Sequence, residues 1–476
     1  MIDFRSFAII VNRIEDLLMF YILHPDIALR SWQLVPYAYY TRHNRFAKGL
    51  TEEEFSFLSR CDGATDLPET ALVQSLCDRG LCRKTEQGKE KLSDWQKHMV
   101  CDNRYMPAMN WMITGKCNYN CIHCFNAADN NPLQSEFTME EALTLLDEAQ
   151  KCGIHGFTIT GGEPMAHRQF PDIMREIRRR GMEVFELNTN GFYLTQEVLT
   201  ALLETDCKPT MKISFDGIGF HDTMRGRKGA QEDALRAISL CVENGFPVMA
   251  QMQMNRMNLE SILPSLWEME RRGVTIVRVI RTSESPRWEQ NAPEQTLSFA
   301  QYYDACLSVA RAYMDGGGSM DVNFWQFLDI YPAKKSFRPH SGLRPNEEFR
   351  KSFPLCRGNR GMIAVCADGN VYPCMQQSGY CAANGISFGN VKSDGLQALL
   401  RNGRYMDEVC ATVADLAKVN RECRECPYLT QCCGGCRALV VATGGGMRGC
   451  DRTKCYFFKE GYPQKIKEAL AQYKCL

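Results

Sequence analysis

A chain of 476 residues, 45% hydrophobic and 24% charged, is long enough to bury more than one core, so two or three domains are expected. Lysine plus arginine and aspartate plus glutamate number 56 each, and this zero net charge speaks against a broad nucleic-acid footprint. Even the run Arg175, Arg178, Arg179 and Arg180 reads as the solvated face of a helix.

The opening segment, "MIDFRSFAIIVNRIEDLLMF", is interrupted by Asp3, Arg5, Arg13, Glu15 and Asp16 and lacks the basic flank and clean apolar stretch of an export signal. No uncharged apolar run reaches the roughly 20 residues of a membrane-spanning helix. A cytoplasmic chain with no membrane and no nucleic-acid partner is the expectation. In that compartment 24 cysteines read as metal ligands rather than disulfides.

Residues 1–100 form a first module, with its core at about 30–95. There "WQLVPYAYYT" is strand-like, "TEEEFSFLSR" and "DLPETALVQSLCDRG" are helix-like, and Cys61-Asp62-Gly63 reads as a turn between the helices. The charge-rich "RKTEQGKEKLSDWQKH" follows as a linker or solvated helix. From 105 to 317 strands and helices alternate, the strands being "MNWMIT", "GFTIT", "EVFELN", "TMKISF", "PVMAQMQM" and "VTIVRVI". Among the helices, "TMEEALTLLDEAQKCG" has a capping box at Thr138 and Glu141, a face of Met139, Ala142, Leu143, Leu146 and Ala149, and a stop at Gly153. Six strands joined this way imply right-handed crossovers and a parallel sheet, open or curled into a barrel, with its site at the strands' carboxyl ends. Residues 318–355 form a bridge without this alternation. The tail, 356–476, holds 13 of the 24 cysteines and reads as a region held by metal more than by an apolar core.

Just after the first of those strands, "TGKCNYNCIHCFNA" spaces Cys117, Cys121 and Cys124 as Cys-x3-Cys-x2-Cys. Each iron of an iron–sulfur cluster takes one thiolate, so three cysteines hold a four-iron cluster with one iron left open to a small molecule. A zinc site completed by His123, or purely structural cysteines, is the competing reading. The second strand runs into "TGGEP", where two glycines let backbone approach a ligand at the same end of the sheet.

"CNYNCIHC" and "GGEP" resemble the radical S-adenosylmethionine (AdoMet) superfamily. The resemblance implies an α/β fold, a partial (β/α)6 TIM barrel, with a [4Fe–4S] cluster on Cys117, Cys121 and Cys124 and AdoMet on its fourth iron. Reductive cleavage there, fed by a flavodoxin- or ferredoxin-type donor, would give a 5′-deoxyadenosyl radical that takes hydrogen from a substrate. By position, His123 would pack on adenine, and Gly161, Gly162 and Glu163 would hold the methionyl amine. Asn190 in "NTNG" and Ser214 and Asp216 in "SFDG" would meet ribose and the methionyl carboxylate, and Arg225 a carboxylate. The plainer roles are a packing ring for His123 and a turn or cap residue for Asp216.

In the tail, Cys356, the "GNVYPC" ending at Cys374, and "CRECPYLTQCCGGC" with Cys423, Cys426, Cys432 and Cys436 precede a last cysteine, Cys455 or Cys450. A zinc ribbon would explain the Cys-x2-Cys alone. The whole series resembles the SPASM extension of peptide-modifying radical AdoMet enzymes, with "ISFGNV" as its usual strand. That implies two auxiliary [4Fe–4S] clusters. The first would use Cys356, Cys374 and Cys436, with Cys366, Cys381 or an open position as fourth. The second would use Cys423, Cys426, Cys432 and Cys455, with Cys433 a bystander.

"FLSRCDGATDL" and "TALVQSLCDRGLC" resemble the recognition element of ribosomal-peptide systems, which binds a leader peptide as an added strand, the plainer reading being a winged-helix-like cap with no peptide partner. The expected enzyme is an oxidoreductase that matures a leader-bearing peptide by thioether, carbon–carbon or epimerising chemistry. Sulfatase-type formylglycine formation is an alternative, but Met375 stands where those enzymes place aspartate. A small-molecule radical dehydrogenase and a non-enzymatic zinc-binding regulator complete the alternatives.

Overall fold

The computed structural model describes residues 19–44, 46–125, 135–341 and 351–476. Its main sheet contains β1 Ala108–Met112, β2 Gly156–Thr160, β3 Glu183–Thr189, β4 Thr210–Ser214, β5 Val248–Met254 and β6 Ile276–Arg281, all parallel and in chain order. These match the six expected strands, and helices between them make it the α/β partial barrel. A seventh parallel strand, β7 Asp321–Phe324, comes from the bridge that was read as irregular, and β8 Leu328–Tyr331 and β9 Ser336–Pro339 continue antiparallel.

Helix Met139–Lys151 illustrates the local logic. Thr138 and Glu141 close a reciprocal capping box, and Gly153 adopts φ +74° beyond the last turn. Its buried face is Ala142, Leu145, Leu146 and Ala149, so Leu145 and not Leu143 completes the stripe.

The tail is more continuous with the barrel than its cysteine density implies. β10 Met362–Val365 pairs in parallel with β1, β11 Val371–Tyr372 pairs with β10, and β12 Lys474–Cys475 adds to β9 at the far edge. Ile363, Val365, Leu396, Leu400, Tyr405, Met406 and Phe457 belong to the same apolar core as β1–β7. Among the described residues, a small cluster around Leu355, Val413, Leu416 and Cys423 stands apart from that core. The expected "ISFGNV" strand is absent. Residues 386–389 are irregular, Asn390 makes one isolated bridge to Asn370, and a turn begins at Val391.

The first module holds two small sheets. One orders strands Asp62–Asp66, Phe20–Leu23 and Cys82–Thr85 beside helices Glu52–Leu58 and Ala71–Asp78. The other orders Lys48–Gly49, Val35–Thr41, Ile27–Trp32 and Met99–Cys101. Asp62 therefore opens a strand instead of sitting in a turn. The "RKTEQGKEKLSDWQKH" segment forms no helix, and its first residues complete an edge strand. This segment does not hold the module apart either. Trp95 packs on His155 with ring centroids 5.8 Å apart, Trp32 Nε1 donates to Cys152 O at 2.8 Å, and the Tyr40 hydroxyl lies 2.9 Å from Gly153 O. Those partners precede β2, at the end of the barrel opposite the strands' carboxyl ends. Among the described residues no helix is long and apolar enough to cross a membrane.

Candidate active site

Beyond the carboxyl ends of the barrel strands lies a cavity of about 1650 Å³, roofed by the tail. Cys117, Cys121 and Cys124 line it from the loop after β1. Cys356, Cys374, Cys432, Cys433 and Cys436 line it from the tail. One chamber thus joins the two cysteine sets that the sequence separates by more than 200 positions.

The cysteine loop is held by backbone. Gly162 N donates to Thr114 O and Glu163 N to Lys116 O, both at 2.8 Å. A Cβ on Gly162 would stand 2.4 Å from Lys116 O, and one on Gly161 2.7 Å from Thr114 O. The glycine pair is therefore required first by the loop itself, although both residues also face the cavity. On the other side Ile122 N donates to Met224 O at 3.0 Å, and Gly226, at φ +60°, lies against Asn120 O.

Behind the wall is a buried charge cluster. Asp216 is fully buried, with Arg225 Nε 2.8 Å from Oδ2 and Gln253 N donating to Oδ1 at 2.9 Å. His123 Nε2 and His221 Nδ1 stand 3.7 and 3.9 Å from the same carboxylate. Burial works against the Asp216 charge, but Arg225 and the imidazoles hold its carboxyl below the usual range. Burial pushes His123 down to about 4 and His221 to about 3, so both rings are neutral at pH 7. Arg225 reaches the cavity, with Nη1 3.7 Å from Cys121 Sγ.

Of the residues singled out in the sequence, Gly161, Gly162, His123, Asn190, Ser214 and Arg225 line the cavity. Asp216 stands behind Arg225 as its counter-ion. Glu163 is also withdrawn: it is fully buried and accepts from Thr189 Oγ1 at 2.9 Å and Asn190 N at 2.8 Å. Burial pushes its carboxyl up to about 7. His221 escaped notice because a buried neutral imidazole inside a helical stretch leaves no sequence signal.

The barrel lumen is polar. Thr158 Oγ1 and Lys212 Nζ meet the Glu186 carboxylate at 3.0 and 3.1 Å, and Arg278 Nε donates to Asn323 at 3.2 Å while lying over Trp325. Above them four amide side chains, Asn110, Asn188, Gln251 and Gln253, open onto the cavity.

In the tail, Cys356, Cys374 and Cys436 share the wall. Burial pushes Cys374 up to about 11 and Cys436 up to about 12, and the Cys356 thiol adds to both. Cys366 and Cys381 are buried away from the wall, and Cys366 Sγ lies 3.8 Å from Met375 Sδ. Cys450 Sγ is 3.5 Å from Cys423 Sγ, while Cys432 and Cys455 also raise the Cys423 thiol after burial. Both candidates for the last position therefore adjoin one group.

Cysteine thiolates are donors that both iron–sulfur clusters and zinc accept. A tetrahedral zinc with bonds of about 2.3 Å needs sulfurs about 3.8 Å apart. Among the described residues no three His, Cys, Asp or Glu side chains converge tightly enough for a single ion. The thiolate is the ligand, so ligation at these cysteines displaces a proton from each.

Residues 111–264 match the radical SAM superfamily, and 356–427 match SPASM, an iron–sulfur cluster-binding domain. Among curated proteins, the AdoMet-dependent heme synthase of Methanosarcina barkeri is 24% identical over 340 residues, covering 70% of this chain and 92% of that protein. The mycofactocin maturase MftC of Mycobacterium tuberculosis is 25% identical over 351 residues, covering 72% and 81%. Among solved structures, Streptococcus suis SuiB bound to its precursor peptide SuiA superposes with a TM-score of 0.66 at 13% identity, covering 91% of this chain and 99% of that one. A TIM-type barrel ending in a three-cysteine loop, roofed by a cysteine-rich tail, has the matching architecture: the chain carries a radical S-adenosylmethionine domain joined to a SPASM iron–sulfur domain.

Proposed function

We propose that this protein matures a ribosomally made peptide, using the first module to take hold of a leader segment, 105–317 for radical generation and 356–476 for two auxiliary clusters. The observation that carries the reading is the single chamber shared by Cys117, Cys121 and Cys124 with Cys356, Cys374 and Cys436. When bound, the [4Fe–4S] cluster and AdoMet supply a hydrogen-abstracting radical, and the auxiliary clusters supply electron transfer. The chain's own residues bind and orient. Arg225, fixed by Asp216, offers a guanidinium to a carboxylate beside Cys121, and Gly161, Gly162, Asn190, Ser214 and His123 form the adjoining wall. Asn110, Asn188, Gln251 and Gln253 present amides to the amides of a substrate backbone. The tail roof excludes water from the reacting centre.

The names of the heme-synthase relatives give a tetrapyrrole reading. Their alignment, however, spans 70% of the chain. The likeness to SuiB, whose structure was solved with a precursor peptide, spans 91%. A peptide partner gives the first module a role, and a flavodoxin- or ferredoxin-type protein is the electron donor we expect.

Anaerobically reconstituted protein, given AdoMet, a strong reductant and the short peptides encoded beside its gene, is expected to release 5′-deoxyadenosine and change one peptide's mass. Cys117→Ala should release none. Turnover on an iron-porphyrin substrate, with every peptide unchanged, would reject the peptide reading.

A further inference from the structure

The loop after β6 leads through Ser285 into helix Pro286–Asn291, and both Ser285 and Arg287 line the chamber. Serine in this place ordinarily caps the helix with its hydroxyl. Here Ser285 caps nothing: it is 7% exposed, and its Oγ has no hydrogen-bond partner. The Arg287 guanidinium donates through Nη2 to Asn120 Oδ1 in the cysteine loop, while its buried Nε is without a partner. Trp288 is fully buried, donates from Nε1 to Thr296 Oγ1 at 2.7 Å, and packs in one apolar cluster with Met224 and Ile122. That packing pins the helix against the cysteine loop. Two donors are thus fixed, buried and set in the cavity wall with nothing to bond. Polar groups in that condition are rare in folded proteins, and a bound ligand is one way they are satisfied.

Charge indicates which ligand. Lys116, Lys212, Arg225 and Arg281 on the same wall each hold a carboxylate, Glu136 at 2.7 Å, Glu186 at 3.1 Å, Asp216 at 2.8 Å and Glu284 at 2.6 Å. Among the described residues Arg287 has no such partner. Glu284 is engaged by Arg281 through both oxygens, and Glu289 stands two residues along the helix, a spacing at which side chains do not face each other. A guanidinium with a hydroxyl beside it suits a carboxylate. AdoMet brings one carboxylate, and Arg225 is the cation beside Cys121 for it. We propose that Ser285 and Arg287 form a carboxylate subsite for the substrate: the peptide presents an acidic side chain, or its own carboxyl terminus, close to the residue that loses hydrogen. This rests on the peptide reading above and adds what kind of peptide the chamber selects.

The test is steady-state kinetics of anaerobically reconstituted protein on the encoded peptide whose mass changes, with iron counted per chain. The peptide is also made with each aspartate changed to asparagine, each glutamate to glutamine, and with an amidated terminus. One of these changes should raise the wild-type KM about tenfold, and which one it is separates a side chain from the terminus as the source. Arg287→Gln should raise KM for the unaltered peptide by about the same factor and then be indifferent to that change, a non-additivity that a structural role would not produce. Arg287→Lys keeps the charge and should recover part of the loss. Ser285→Ala removes no bond present in the fold and should raise KM several-fold with full iron. A KM unmoved in both Arg287→Gln and Ser285→Ala overturns the proposal alone, as does full additivity between the arginine variant and the peptide changes. Loss of barrel iron or weaker AdoMet binding in Arg287→Gln also overturns it, because the arginine would then serve the cysteine loop or the cofactor. Failure to turn over any encoded peptide rejects the peptide reading, and the proposal with it.

Discussion

A methyl group on Gly162 would meet the carbonyl oxygens of Lys116 and Gly115 at 2.4 and 2.6 Å, and backbone cannot yield there without moving the cysteine loop. Gly162→Ala is therefore expected to lose the iron of the barrel cluster, about 4 per chain, and to keep that of the tail. Full iron by chemical analysis would show that the loop tolerates the shift. Glu163, the next residue, gives a pH signature. Its folded carboxyl holds a proton up to about pH 7, whereas the unfolded one releases it near 4.5. The folded state binds more protons between those values, so stability is full below 4.5 and declines as pH rises to about 7, by roughly 3 kcal/mol. Glu163→Gln should flatten that decline in denaturant unfolding of cluster-free protein, and equal slopes would exclude Glu163 as its source. The cysteine spacing was legible because ligation fixes residue type and interval together. Glu163 and Asp216 were legible as strand-end residues, but which of them face the cavity depends on the neighbouring strands. Thr189 and Asn190 draw Glu163 inward, and Arg225 comes between Asp216 and the chamber.

Elements show the same division. The six barrel strands and the Thr138–Glu141 box are local patterns and were readable. Strand Asp62–Asp66, "DGATD", has no apolar alternation and exists because Phe20–Leu23 pairs with it. Next to that pair, Cys82–Thr85 closes the three-stranded sheet with an open outer edge. His24 N donates to Leu81 O at 3.0 Å, and the alternation of an antiparallel ladder then turns the Lys84 N–H outward. If a leader adds here, Lys84→Pro should remove one of its backbone bonds while the fold tolerates proline on an edge. Peptide affinity should fall roughly tenfold, an effect of about 1.4 kcal/mol, with peptide-free AdoMet cleavage unchanged. Unaltered affinity in a titration calorimeter would move the leader to another surface. Trp32 carries the opposite expectation. It hydrogen-bonds Cys152 O at the base of the barrel, so Trp32→Ala should cost about 3–5 kcal/mol in whole-protein stability. A smaller loss by denaturant unfolding would mean that the module is only loosely attached.

At the scale of the molecule, barrel and tail share one sheet and one apolar core. Barrel and tail should therefore unfold together in one transition, seen alike by circular dichroism and tryptophan fluorescence, and two separated steps would contradict the shared core. Three clusters predict about 12 iron per fully loaded chain, and a Cys117/Cys121/Cys124→Ala triple variant should keep about two thirds. Zinc in place of the remaining iron would return the tail to the ribbon reading. The partnership of β10 with β1 also has a consequence during synthesis. β1 emerges some 250 residues before the strand that covers its outer side, a wait of roughly 10–50 s at about 5–20 residues per second. Throughout that wait an apolar edge containing Met109, Trp111 and Met112 stands unpaired on the nascent chain, beside three unligated thiols. A chaperone that shields this edge during the wait is therefore expected to raise the native yield, which co-expression followed by a soluble-protein assay would check.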